Sequence, residues 1–245
     1  MIPNTCQIRD WSVKMKIIVI NFSGNVGKSI VAQHLLKPRM EDSTIIAVES
    51  INSDGTQDEK IKGKAFTEIM DRALEHENVI IDVGASNVEE FLNQMKKSIG
   101  SHEDFDYFVI PTINKRKQIE DTDSTIVALS DLGIEPHRIR VVFNMIDDDT
   151  NIPRAFEQIF QNKCMATINT AAVIHENELF NRLDEAKFKT IAEIVNDESD
   201  YKQLISQTDE SDTATRRTYS RALGIRRLSI GVQRMLDKTY RELFR

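Results

Sequence analysis

The run IIVINFSGNVGKS at residues 17–29 constrains the chain more than any other feature. An apolar, β-branched segment enters a loop with two glycines, and Lys28-Ser29 then open a helical pattern running through Leu35 and Leu36 to Pro38. A strand without polar alternation needs cover on both faces, so this unit belongs inside a layered α/β sheet. Its loop suits anions, because backbone N–H groups at the helix start converge on a phosphate and Gly27 lets the main chain come close. In that reading Lys28 neutralises β/γ-phosphate charge and the Ser29 hydroxyl ligates magnesium. Ser23, Gly24, Asn25, Val26, Gly27, Lys28, Ser29 and Ile30 are the candidate nucleotide cradle. Phe22 stands where the pattern G-x-x-x-x-G-K-[ST] has its first glycine. A dinucleotide fingerprint fits worse, since no third glycine follows Gly27. The alternative is an ordinary strand–helix turn that leaves Lys28 exposed.

Further strand-like runs follow at Thr44–Val48, Val79–Val83, Tyr107–Pro111, Arg140–Asn144 and Met165–Asn169, after a first at Lys16–Asn21. They alternate with helical patterns, as parallel strands joined by crossovers must. The expected fold is α/β, a doubly wound and mainly parallel sheet with a C-terminal helical extension. At 245 residues the chain has room for one such domain with additions, or two small ones. Its two cysteines, Cys6 and Cys164, lie far apart, so neither a disulfide framework nor a zinc site is indicated and a reducing cytoplasm is expected. No window approaches the ~18 apolar residues of a membrane span. Residues 1–14 read as an extension or an upstream start outside the core.

A helix is expected from near Asn87, with Glu89 and Glu90 in its first turn, Lys96 and Lys97 in its last, and a stop at Gly100. Phe180, Leu183, Lys187/Phe188, Ile191 and Ile194/Val195 recur at helical spacing and predict one core-facing helix. The nucleotide domain is then expected over residues 15–196. The net charge of -7 argues against a chain that coats nucleic acid over its whole surface, yet the charge is unevenly spread. Residues 197–212 carry -5 and read as an acidic linker, residues 213–245 carry +7, and residues 1–196 are left with -9. In the basic segment Ile225, Leu228, Val232, Met235/Leu236, Tyr240 and Leu243 form one helical stripe, despite Gly224 and Gly231. Three uses fit it: packing on its own domain or a second subunit, salt-dependent contact with DNA phosphates, and, less favoured, attachment to a membrane surface.

Two more positions carry chemistry. Asp82 ends an apolar strand in VIIDVGASN, where open α/β sheets place their ligands, and suits a magnesium role through water, or alternatively a turn. Asn144 ends the strand of VVFNMID and is either a base-contacting amide or a plain strand end; Asn144-x-x-Asp147 has guanine-reader spacing with Met145 in place of lysine. The Lys115-Arg116-Lys117 cluster reads first as a solvated helix start. His34, His76, His102, His137 and His175 are scattered and read as surface or satisfied histidines.

The strand, the FSGNVGKS loop, Asp82 and Asn144 together resemble the ParA/MinD class of P-loop ATPases with a deviant Walker A motif. The runs KIIVINFSGNVGKS, IIAVESIN, DVGASNVEEF, GSHEDFDYFVIPT and IRVVFNMIDD are similar to the StbB/TraL plasmid-stability and conjugation proteins of that class, over about residues 15–165. The resemblance implies ATP, Mg2+, a nucleotide-linked homodimer and a plasmid-encoded DNA-binding partner, with Lys28 and Asp82 as the catalytic candidates and Ser29 and Asp82 at the metal. The class's signature lysine falls on Ser23, its following glycines on Gly24 and Asn25, and its Asp-x-Asp on Glu49-Ser50-Ile51 with Asp54 out of register. One missing cation and one missing water-orienting acid imply slow or partner-dependent hydrolysis. A non-hydrolysing scaffold and a GTPase are the competing readings.

Overall fold

The computed structural model describes residues 14–48, 59–183 and 190–245. Six strands, β1 (Lys16–Val19), β2 (Thr44–Val48), β3 (Val79–Val83), β4 (Tyr107–Thr112), β5 (Ile139–Ile146) and β6 (Thr167–His175), form one parallel sheet in the order β2-β3-β1-β4-β5-β6. This is the expected α/β class, and the apolar runs at the centres of the strands explain it. Ile18 and Ile20 point into one core and Ile17 and Val19 into another, so β1 is covered on both faces. Helices α2 (Glu59–Leu74), α3 (Val88–Lys97), α4 (Arg116–Asp131), α5 (Ile152–Ala155) and α6 (Glu157–Gln161) lie along the chain between the strands. Phe66, Phe91, Ile126 and Phe156 join the first core.

The second core is closed by the helical segment after β1 and by the C-terminal part of the chain. Helix α1 (Lys28–Ile30) continues into a π-helical stretch, Val31–Leu36, and a 3-10 turn, Lys37–Arg39. Helix α10 (Thr213–Leu243) lays Ile225, Val232, Leu236, Tyr240 and Leu243 on the same face, with Leu228 and Met235 at its margin. The apolar stripe read from the sequence therefore covers the chain's own sheet.

Some boundaries differ from expectation. Strand β6 starts two residues late and runs to His175, because irregularities in the pairing after Val141 and Phe143 let it stay beside the longer β5. Among the described residues the segment expected as one helix over 180–195 holds α7 (Glu178–Arg182) and a separately started α8 (Ile191–Asn196). Thr190 is extended and forms a capping box with Glu193, so a new helix must start there. Lys187 and Phe188 lie outside the described residues, as do residues 1–13 of the N-terminal extension. Within the acidic stretch Tyr201–Gln207 forms helix α9, capped by Asp200. Arg226 donates to the Ser199 carbonyl at 2.8 Å and Arg216 to that of Thr208 at 3.0 Å, which ties this stretch to α10.

Candidate functional site

The loop of residues 20–27 leaves the carboxyl end of β1, between β3 and β4, where the order of the strands reverses. Open α/β sheets bind ligands in the crevice at such a point. Asn25 and Gly27 both take left-handed backbone conformations, φ 58° and 83°. A Cβ on Gly27 would come within 2.1 Å of Asn144 Nδ2, so glycine is required there for space as well as for conformation. Asn144 itself is buried and donates to the Val26 carbonyl at 2.9 Å. The structure thus brings Asn144 to the loop, where its amide supports the turn from beneath.

Lys28 opens α1 and is 8 % exposed. Its ammonium donates to the carbonyls of Ser23 at 2.7 Å and Asn21 at 3.1 Å, folding the loop around the charge. Burial pulls Lys28 down to about 8 from an ordinary 10.5, while the Asp82 carboxylate pulls the other way. Ser29, on the exposed side, donates from Oγ to Asp82 Oδ2 at 2.7 Å. Asp82 is delivered by β3, directly opposite Val19 in the register. Sequence positions 28, 29 and 82 therefore share one place at the sheet's end. A hydroxyl and a carboxylate in contact, beside a buried ammonium and exposed Gly24 and Asn25, are the oxygen donors and cation that a magnesium–polyphosphate pair needs.

Phe22 packs against the first core rather than facing the loop's interior, and its N–H donates to Thr125 Oγ1 at 3.2 Å. It belongs to a buried polar network that the sequence reading did not find. Asn21 donates to the Pro111 carbonyl at 2.9 Å and to Thr122 Oγ1 at 2.8 Å, while its own Oδ1 accepts from Ser23 N–H at 2.8 Å. Thr122 in turn reaches Thr112 Oγ1 at 2.9 Å. The entry of the loop is thereby fastened to the end of β4 and the middle of α4. The available signal was small: threonines at 122 and 125 on the face of α4 that also carries Ile119, Ile126 and Leu129.

The remaining candidates separate from this place. Lys115 precedes α4 and Arg116 faces solvent beside Glu120. His175 meets Asp148 at 3.0 Å, whereas His34, against expectation, is buried and its Nδ1 has no hydrogen-bond partner among the described residues. Glu49-Ser50-Ile51 and Asp54 lie outside the described residues. No helix among the described residues is long and apolar enough to cross a membrane.

No protein-family model matches the sequence, and no curated protein is significantly similar to it. Solved structures do resemble the fold. The apo form of McdA from Cyanthece superposes with a TM-score of 0.53 at 12% identity, covering 94% of this chain and 99% of McdA. The chain has the fold of McdA. Weaker likenesses, each at a TM-score of 0.46, are to a candidate plasmid partition protein from Borrelia burgdorferi B31 bound to AMPPNP and to the MinC:MinD cell division complex of Aquifex aeolicus. The first is 15% identical and covers 86% of this chain and 98% of that one; the second is 13% identical and covers 86% and 96%.

Proposed function

We propose that this protein is a ParA-like, nucleotide-dependent switch that binds ATP with Mg2+ and hydrolyses it weakly. The observation that carries the reading is the meeting of Lys28, Ser29 and Asp82 at the carboxyl end of the sheet, beside a loop whose Gly27 admits no side chain. In this reading Mg-ATP, when bound, supplies the transferable phosphoryl group and the metal's charge. Lys28, now held by two loop carbonyls, would turn to phosphate oxygens, and Ser29 and Asp82 would hold the metal. Backbone N–H groups of residues 24–30 would receive the phosphates, and Asn144 braces the loop from beneath through the Val26 carbonyl. Serine rather than lysine at position 23 removes a cation from the reaction's charge balance, which slows hydrolysis more than binding.

The resemblance to the StbB/TraL proteins favours a cytoplasmic role in plasmid stability, partition or conjugative transfer, with a homodimer linked by nucleotide and a plasmid-encoded DNA-binding protein as partner. The functional parts on this reading are the nucleotide domain, residues 15–196, and the basic helix beyond the acidic stretch. With the apolar stripe of α10 covered, its exposed face is left for phosphates. Single-turnover hydrolysis of ATP and GTP, with and without DNA, tests the enzyme assignment. Slow, ATP-selective turnover that DNA or a partner accelerates is expected; binding without any turnover favours the scaffold reading, and preference for GTP overturns the choice of base.

A further inference from the structure

The helical segment that follows the loop cannot end as an ordinary α-helix. Pro38 has no N–H to offer the His34 carbonyl four residues earlier, and the segment is wound in the wider register, with Lys37 N–H reaching Ala32. Arg39 supplies what the backbone lacks. Its Nη1 donates to the carbonyls of both His34 and Leu35 at 2.9 Å. The other edge of the same guanidinium faces α10: Nε and Nη2 donate to Asp237 Oδ1 at 3.0 and 2.6 Å, and Nη2 to the Gln233 carbonyl at 3.3 Å. Arg39 is buried, whereas the Asp237 side chain is 38 % exposed. A planar fork of five donors can serve two elements at once in this way, which an ammonium cannot.

We propose that Arg39 is a positioning residue for the nucleotide loop and that, through Asp237, it couples that loop to α10. This rests on the reading of Lys28 and Ser29 as the phosphate site. Those two residues open the same helical segment that Arg39 closes, eleven residues apart from Lys28 to Arg39, so a shift in the winding between them moves the loop's helix start. A π-helical stretch has an α-helical alternative, and the guanidinium selects between them by holding His34 and Leu35 carbonyls against α10. A small cavity of about 150 Å³ beside this junction, lined by His34, Arg39, Gln233 and Asp237, leaves room for the rearrangement. His34 Nδ1 and Gln233 Oε1 are buried there without partners among the described residues, so these residues do not lock the junction with a full set of hydrogen bonds. Coupling of this kind is reciprocal: nucleotide steadies α10, and whatever binds α10 alters nucleotide affinity by the same factor.

The test uses the full chain. Mg-ATP affinity is measured for the parent, Asp237→Asn and Asp237→Glu, and backbone hydrogen exchange of α10 is followed with and without nucleotide. Asp237→Asn is expected to weaken binding about fivefold or more, a coupling of ordinary size, while Asp237→Glu stays near the parent. Nucleotide is expected to slow exchange over residues 232–243 in the parent and not in Asp237→Asn. Unchanged affinity in Asp237→Asn, equal losses in both variants, or no effect of nucleotide on α10 in the parent overturns the proposal. If Asp237→Asn fails to fold, the exchange measurement on the parent decides. A parent that binds Mg-ATP normally but shows none of this coupling leaves the site reading standing; a parent that binds no nucleotide overturns both.

Discussion

Lys28 is the residue on which most depends, and its environment makes two opposite pH dependences. Nucleotide binding needs the ammonium charged, and free Lys28 loses its proton around pH 8. Mg-ATP affinity is therefore expected to be flat below about pH 8 and to fall above it, with proton uptake on binding, which calorimetry in buffers of different ionisation enthalpy detects. Folding stability moves the other way. The native value lies below the unfolded one, so between about 8 and 10.5 the unfolded chain holds the extra proton, and the Lys28 contribution to stability rises with pH across that window. Gly27 is the second sensitive residue. Gly27→Ala forces a Cβ into Asn144 and a left-handed backbone on alanine, and a loss of roughly 1–3 kcal/mol is expected in denaturant unfolding. Both residues were legible in the sequence because the loop is contiguous: the eight residues Ser23–Ile30 contain the phosphate chemistry and the start of its helix.

Among the elements, β1 and α4 are joined by a network that no local pattern announces. Asn21 and Thr122 are 101 residues apart, and each is an unremarkable polar residue until the sheet sets β1 beside β4. Thr122→Val removes an acceptor from a buried amide and is expected to cost about 1–3 kcal/mol and to loosen nucleotide binding. Ser124→Ala, on the exposed side of the same helix, should leave both unchanged in thermal melts and titrations. The positions of the strands and the place of Asp82 at the end of one followed from apolar runs and their spacing, whereas the order of the strands and the start of a helix at Thr190 did not. There the apolar residues keep helical spacing through residues 180–195, and only the Thr-x-x-Glu signature marks the new helix start. The same limit hid the role of Arg39, whose partner on α10 lies 198 residues along the chain.

At the scale of the molecule, charge is segregated: -9 over residues 1–196 against +7 over 213–245. The fold turns this into geometry. Arg227, Arg234, Lys238 and Arg241 are exposed on α10 and Arg245 just beyond its end, while the helix's apolar stripe is buried against the sheet. Deleting the helix would uncover that core, so substitution is the cleaner experiment. Replacing Arg227, Arg234, Lys238 and Arg241 with glutamine is expected to flatten the salt dependence of DNA binding by roughly one unit of log–log slope per lost phosphate contact, with melting unchanged. The nucleotide-dependent outcomes presuppose that residues 23–30 hold a nucleotide. Calorimetric titration of Mg-ATP into the full chain and into Lys28→Ala tests that most directly. Saturable binding by the parent, weakened at least tenfold in the variant as expected for a lost charge-assisted contact, is the result this account requires; equal affinities, or no binding by the parent, contradict it.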